Sequence, residues 1–388
     1  MESRTLPEAV KSIMKVHGWS QSQLARELGV PRDWISKIKR GDRDPSIGRL
    51  SQLLAGIGWE VIIRPKREKA PVKRREFVAA AASVMFVPSP KVGPYEDPTH
   101  VHEMAQRLAQ ARYEHGGGTI AATAMKHIRH IEPVVAGGDK KLQAAASDLA
   151  VESVWTLSDA HRFDAGENVG RLALELAKRS ESPDAQSRAY SALAQLNSEW
   201  GRADRAFKYA KSGVQLPEVP ETQQAWMRLR RARTLTLVRG QENAARDEIE
   251  SVYGPLRDRG FPGQSSFDVA DMMACIGVAL NRIGVYADAH CMLNEALALL
   301  GDSSPNPQSQ RLAQQVLAAL RMSQPALAAD HMLALARIAP LVNSRWLDGD
   351  LREVLAESAK WASVPEIRDA RDHLRTVVQA PAPPIKRT

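Results

Sequence analysis

Along the first sixty residues, apolar side chains return at three- and four-residue intervals in short bursts separated by glycine. Val10, Ile13 and Met14 form the first burst, which breaks at Gly18, and Ser20 is placed to cap a second helix that ends at Gly29. A third helix is expected from about Pro31 to Arg40, stopping at Gly41. After the Asp44-Pro45-Ser46 turn, a fourth puts Ile47, Leu50, Leu53 and Leu54 on one face. Residues 7–56 therefore predict four or five short helices packed on one small core.

The pattern then changes period. Trp59-Glu60-Val61-Ile62-Ile63-Arg64 is rich in β-branched residues and predicts a single strand. A lone strand leaves backbone donors and acceptors unpaired, so a partner is needed, and the expected partner is the same strand of a second subunit. An extended segment lying on its own domain is the alternative. From Pro65 to Pro98 six prolines and the basic residues Lys66, Arg67, Lys69, Lys73, Arg74 and Arg75 mark a linker around one short helix, Arg74–Val87. Arg74 and Arg75 ahead of the apolar Phe77–Val87 imitate an export signal, but they follow a folded module and read as linker.

Beyond residue 98 nearly everything predicts helices of 12–20 residues divided by Gly, Pro or Asp. Tyr190, Leu193, Ala194, Gly201, Ala206 and Ala210 recur in position as Met273, Ile276, Gly277, Gly284, Ala289 and Leu293. In both copies a helix bearing a small residue turns at glycine, and a second helix places alanine where the two must approach closely. Weaker copies turn near Ala165 with Gly170 and Ala177, and at Gly240 with Ala245 and Ile249; Ala329, Leu333 and Ala336 mark a further second helix ending at Pro340. The small residues 170, 206, 245, 289 and 329 are spaced 36, 39, 44 and 40 apart. The pattern resembles a degenerate tetratricopeptide repeat, which implies stacked helical hairpins with a concave inner surface.

Charge separates these regions. Residues 1–76 hold 17 Lys and Arg against 9 Asp and Glu, while the remainder holds 36 of each, so the whole net charge of +8 sits in the first fifth. A basic module on an electrostatically balanced body implies a polyanionic partner for the module. The 44% hydrophobic and 25% charged content belongs to globular chains, and 388 residues predict two or three units. Two cysteines, Cys275 and Cys291, give no disulfide framework, and no apolar run reaches membrane-spanning length. The expectation is a cytoplasmic protein with no membrane partner.

Gln21–Lys39 carries the strongest motif. Leu24, Ala25, Leu28, Gly29, Val30, Ile35 and Ile38 fall where a helix-turn-helix needs them: Ala25 is small where the second helix crosses, and Gly29 permits a turn with positive φ. With Lys39-Arg40-Gly41, Asp44-Pro45-Ser46 and Leu50, residues 6–57 resemble the Cro/C1-type (XRE) helix-turn-helix family. The resemblance implies double-stranded DNA as partner. Gln21 matches a phosphate-contacting position at a helix start; Arg32, Asp33, Ser36 and Lys37 would face base edges in the major groove; Lys39, Arg40, Arg43 and Arg49 suit phosphates. Pro31 stands where the family often has Ser or Thr, which puts one phosphate contact in doubt, and Trp34 is large for its position and is expected to pack on the domain. One such domain buries too little surface to be selective alone, so a homodimer on a palindromic operator is expected, paired through Trp59–Arg64 or through the repeats.

These readings give an all-α chain: a five-helix helix-turn-helix domain with one terminal strand over residues 1–64, a basic linker over 65–98, an α-solenoid over 99–380 and a disordered tail over 381–388. Its resemblance to regulators that fuse this head to such repeats implies a peptide or small-molecule effector in the groove, with Arg188, Gln195, Arg230, Thr234, Asp271 and Asn281 as inner-face candidates. The alternative is an antitoxin-like or phage-like repressor whose repeats only dimerise or bind a protein. Other chemistry finds no support. His100, His102 and Glu103, or His127 and His130, do not complete a metal site, Gly116-Gly117-Gly118 reads as an interhelical turn, and no nucleophile elbow or phosphate loop occurs. Neither a cofactor nor enzymatic activity is expected.

Overall fold

A computed structural model describes residues 6–40, 53–54, 59–64, 83–88, 93–301 and 304–379. They belong to two compact units, Met1–Asp97 and Pro98–Thr388.

The first unit begins with α1 (Leu6–His17), α2 (Gln21–Glu27) and α3 (Arg32–Arg40). Ser20 starts α2 through a reciprocal cap: its Oγ accepts from Gln23 N at 3.3 Å, and Gln23 Oε1 accepts from Ser20 N at 2.8 Å. Gly29 takes φ +63°, a left-handed conformation that lets Val30 N reach back to Ala25 O at 2.9 Å and turns the chain into α3. Val10, Ile13, Leu24, Ala25, Leu28, Trp34, Ile35 and Ile38 form the core with Leu54. Residues 53–54 are helical; the rest of the expected fourth helix lies outside the described residues.

The expected strand is present as β1 (Trp59–Arg64), but its partner is β2 (Ser83–Pro88) of the same chain, antiparallel, with Trp59 opposite Pro88 and Arg64 opposite Ser83. This corrects two expectations: β1 is not a lone strand, since its partner lies in the same chain, and the end of the helix expected over Arg74–Val87 is strand. Alanines 79–82 carried the helical reading, whereas Val84, Phe86 and Val87 are strand formers that satisfy the backbone groups of β1. The fold class stays all-α, with two short strands rather than one.

The second unit is a run of helical hairpins. Its members pair as α4 (Pro98–His115) with α5 (Gly117–Val134), α6 (Lys140–Asp159) with α7 (Phe163–Arg179), and α8 (Pro183–Glu199) with α9 (Ala203–Val214). Then come α10 (Glu221–Leu235) with α11 (Glu242–Arg259), α12 (Ser266–Arg282) with α13 (Tyr286–Leu300), α14 (Pro305–Arg321) with α15 (Pro325–Ile338), and α16 (Arg345–Glu357) with α17 (Pro365–Gln379). The recurring small residues all sit on second helices at close approaches: Ala206, Ala245 and Ala289 are fully buried. At Gly170 a Cβ would lie 2.5 Å from Leu193 Cδ2, so α7 touches α8 at a distance no other residue allows without movement. The turn expected near Ala165 is made by residues 160–162, with His161 at φ +54°.

The superhelix closes on itself. Asp159, fully buried at the end of α6, accepts from Gly117 N at 2.6 Å, from Asn306 Nδ2 at 3.3 Å and from Ser344 Oγ. Around it Asn306 Nδ2 also donates to Arg112 O at 3.0 Å, Asn343 N to His115 O at 2.8 Å, and Gly118 N to Asn343 O at 2.9 Å. The first hairpin is thereby joined to the starts of α14 and α16, which lie some two hundred residues further along the chain. Asp159→Ala takes the acceptor from Gly117 N and Ser344 Oγ, at about 1–3 kcal/mol each, and leaves Asn306 Nδ2 with Arg112 O alone. The variant should unfold at lower urea, and amide exchange should rise first at residues 112–118 and 343–347; unchanged protection there would show that the closure does not depend on this carboxylate.

Candidate functional site

Two surfaces gather polar residues, one in each unit. In the first, α3 is divided lengthwise. Trp34, Ile35 and Ile38 are buried at 5%, 0% and 0% exposure and fix the helix to α1 and α2, so Trp34 packs on its own domain. The opposite face carries Arg32, Asp33, Ser36 and Lys37, with Arg32 and Asp33 exposed and Ser36 and Lys37 half-buried. Lys37 Nζ pairs with Asp33 Oδ2 at 2.7 Å, one turn back along the helix. Exposed charges of this kind are held weakly and are free to exchange partners. Lys39 and Arg40 close the last turn of α3, and Gln21 opens α2 beside the Ser20 cap. Arg43 and Arg49 lie outside the described residues.

In the second unit the first helices of all seven hairpins face a common cavity of about 660 Å³. Of the six inner-face candidates, Arg188, Gln195, Arg230 and Asp271 line it. Thr234 and Asn281 do not: each is buried, Thr234 Oγ1 donating to Arg231 O at 2.8 Å and Asn281 Nδ2 to Gln314 O at 2.9 Å. On α10 the inner face runs through Arg230 and Arg233, three residues apart, and leaves the position four residues on turned inward to the helix packing.

Most charges on the wall are already paired. Arg188 Nη2 lies 2.8 Å from Asp148 and 2.9 Å from Asp184, Arg311 Nη2 lies 2.6 Å from Asp271, and Arg112 Nη2 lies 3.3 Å from Glu152. Arg230 differs. Its guanidinium donates only to uncharged groups, Gln195 Oε1 at 2.9 Å and Ser191 Oγ at 3.2 Å, with Cys275 Sγ at 3.9 Å, and it stands 5.1 and 5.2 Å from the ring centroids of Trp155 and Trp226. Burial, with the like charge of Arg233, leaves it below the ordinary arginine pKa. Trp155, Trp226, Arg233, Arg282 and Arg311 escaped the inner-face prediction; the tryptophans, placed on first helices, were the available signal. The run Arg228, Arg230, Arg231, Arg233 is not a plain surface pattern, because Arg228 and Arg231 reach Glu248 on α11 while Arg230 and Arg233 face the cavity.

Cys275 is buried on the wall, Cys291 is exposed, and both are free. Among the described residues no group of three or more His, Cys, Asp and Glu is placed to hold a metal ion, and no helix is long and apolar enough to cross a membrane. Gly116 is the turn between α4 and α5, Gly117 and Gly118 open α5, and Gly117 N serves the closure at Asp159.

Asp350 on α16 has its pKa pushed up to about 7 by burial, then by Glu199 and Glu353, against Arg282 and a hydrogen bond from Gln314. The folded protein therefore keeps a proton there that the unfolded chain releases near the ordinary value of 3.8, so stability from this site falls as pH rises between 3.8 and about 7. Asp350→Asn should flatten that part of the profile and be more stable than the parent above about pH 7. Urea midpoints for both proteins on either side of neutrality measure it, and parallel profiles would refute the assignment.

Residues 10–58 match the protein-family model described as Helix-turn-helix. No curated protein sequence matches the chain. Among solved structures, Bacillus thuringiensis PlcR in complex with the peptide PapR7 and DNA aligns over 96% of this chain and 99% of its own, at 13% identity and a TM-score of 0.39. At that level the alignment decides nothing, and the assignment rests on the matched segment and on the packing described above. The first unit carries a helix-turn-helix of the XRE type, and the second is a tetratricopeptide-like helical repeat.

Proposed function

We propose that this protein is a sequence-specific DNA-binding regulator of transcription, acting as a homodimer on a palindromic operator and modulated by a peptide or small molecule in the cavity of its repeat unit. The observation that carries the reading is the division of α3: three buried apolar side chains hold it, and its outward face presents Arg32, Asp33, Ser36 and Lys37. A helix fixed on one side and polar on the other is what the major groove admits. The charge distribution supports the same reading, since the chain's net excess of cations belongs to the segment that contains α3.

In this reading Arg32 and Lys37 donate to guanine O6 and N7, Asp33 accepts from a cytosine amino group or orients Lys37, and Ser36 completes the base-facing row. Gln21, Lys39, Arg40, Arg43 and Arg49 hold the phosphate backbone and set the register. Two heads binding half-sites about 10 base pairs apart supply the selectivity that one cannot. An occupant of the cavity acts by favouring one arrangement of the stacked hairpins over another, and its leverage is limited to its difference in affinity for the two.

Genome-wide footprinting tests the core of this: protected sites should share a symmetric motif, and binding no better than to random DNA would end the reading. On such a site Arg32→Ala and Lys37→Ala should each lose about 1–3 kcal/mol and relax specificity at one base pair. Lys39→Ala should weaken binding evenly across sequences and shallow the salt dependence by about one ion. Equal losses on operator and random DNA for all three variants would contradict the division between base and phosphate contacts.

A further inference from the structure

The wall of the cavity carries an imbalance that its own ion pairs leave uncorrected. Arg230 and Arg233 lie one turn apart on α10, and Arg282 joins them from α12. One carboxylate serves the three: Glu199, 2.9 Å from Arg233 Nη2 and also accepting from Gln195 Nε2 at 2.5 Å. Among the described residues neither Arg230 nor Arg282 has a carboxylate within ion-pair distance, and the buried Nε of Arg233 has no acceptor. The other nearby acids are engaged. Asp271 is held by Arg311, and Asp350 accepts from Gln314 Nε2 at 3.1 Å and lies beyond ion-pair distance of Arg282.

Arg230 and Arg233 are half-buried and Arg282 is exposed on the same wall. Drawing even part of a cation out of water without a counter-ion is unfavourable, so a site with three around one ion-paired carboxylate is short of negative charge. Flat apolar surface stands beside the deficit, because Trp155 and Trp226 both lie within cation–π range of Arg230. The space, about 660 Å³, is within the range that takes a drug-sized molecule.

Resting on the reading that this cavity holds an effector, we propose that the effector is an organic anion: its acid group is held by Arg230, Arg233 and Arg282, and its planar apolar body lies against Trp155 and Trp226. The guanidiniums supply charge-assisted hydrogen bonds that a neutral or cationic analogue of the same shape cannot use. The acid can be a simple aromatic acid or the C-terminus of a short peptide ending in an aromatic residue, since both present a carboxylate beside a ring.

Calorimetric titration of the full chain with 2-naphthoate, 2-naphthamide and 2-naphthylmethylamine separates charge from shape. The acid should bind about tenfold or more tightly than the amide, a difference of about 1.4 kcal/mol, and the amine should bind least. Arg282→Gln, which removes no ion pair of the resting protein, should abolish the preference for the acid. Arg228→Gln, which changes a residue facing α11, should leave the preference unchanged. Equal affinity for acid and amide, a preference that survives Arg282→Gln, or no binding of any probe at millimolar concentration would each overturn the proposal. N-acetyltryptophan binding above naphthoate identifies a peptide terminus, and the reverse a simple aromatic acid. Operator affinity with and without naphthoate is a separate arm. Naphthoate binding with unchanged DNA affinity would sink the effector reading and leave the anion site standing, whereas absent naphthoate binding would sink the site and leave the DNA reading untouched.

Discussion

A buried carboxylate at the end of α6 turns a row of hairpins into an enclosure. Stacked hairpins alone need only nearest-neighbour contacts and can remain an open superhelix. Asp159 adds contacts far apart in sequence, drawing Gly117, Asn306 and Ser344 to one point. The cavity inherits its character from that closure. Once the first hairpin meets α14 and α16, charged side chains on the first helices face protein across the cavity as well as solvent. Their interactions strengthen as the local dielectric falls.

The altered titration of Asp350 and Arg230 follows from this enclosure. In each case burial is the leading cause, and neighbouring charge of like sign adds to it: Glu199 and Glu353 for Asp350, Arg233 for Arg230. Most of the remaining wall is neutralised by pairs drawn from different hairpins, such as Arg311 with Asp271 and Arg112 with Glu152. These pairs fix the spacing of adjacent first helices. An occupant that competes for one of their members also disturbs the spacing, which is how a ligand confined to the cavity can alter the superhelix as a whole.

Much of this was legible in the sequence, for identifiable reasons. The helix-turn-helix was visible because each of its requirements is local: a cap at Ser20, a small residue at Ala25, a glycine at 29 and apolar residues at fixed offsets. The hairpins were visible because close helix approaches select Gly or Ala at regular intervals, as at Gly170 and Ala289. The partner of β1 was not, because strand pairing is non-local and Ala79–Ala82 imitate a helix just before Val84. The inner face was only partly legible. Periodicity gives the buried stripe of a helix, but Thr234 and Asn281 sit at its margin, where one residue of register decides between cavity and core. The closure at Asp159 left no sequence signal, since its partners are spread over hundreds of positions and are ordinary residue types.

The two units use arginine in opposite ways, and the contrast explains why charge counting located one surface and missed the other. On α3 the cations face water, where their exposed ion pairs are weak and a polyanion can displace the small counter-ions around them. Their excess survives in the net charge of the segment, so it can be read from composition. In the cavity the acids that balance the arginines are supplied by other hairpins, and the segment totals cancel. What remains is a local shortage of negative charge around Arg230 and Arg282, invisible to any sum over sequence and apparent only when α8, α10 and α12 are brought side by side. In the proposed reading the phosphate attraction at the first surface is salt-sensitive, whereas the second surface calls for one acid in one place.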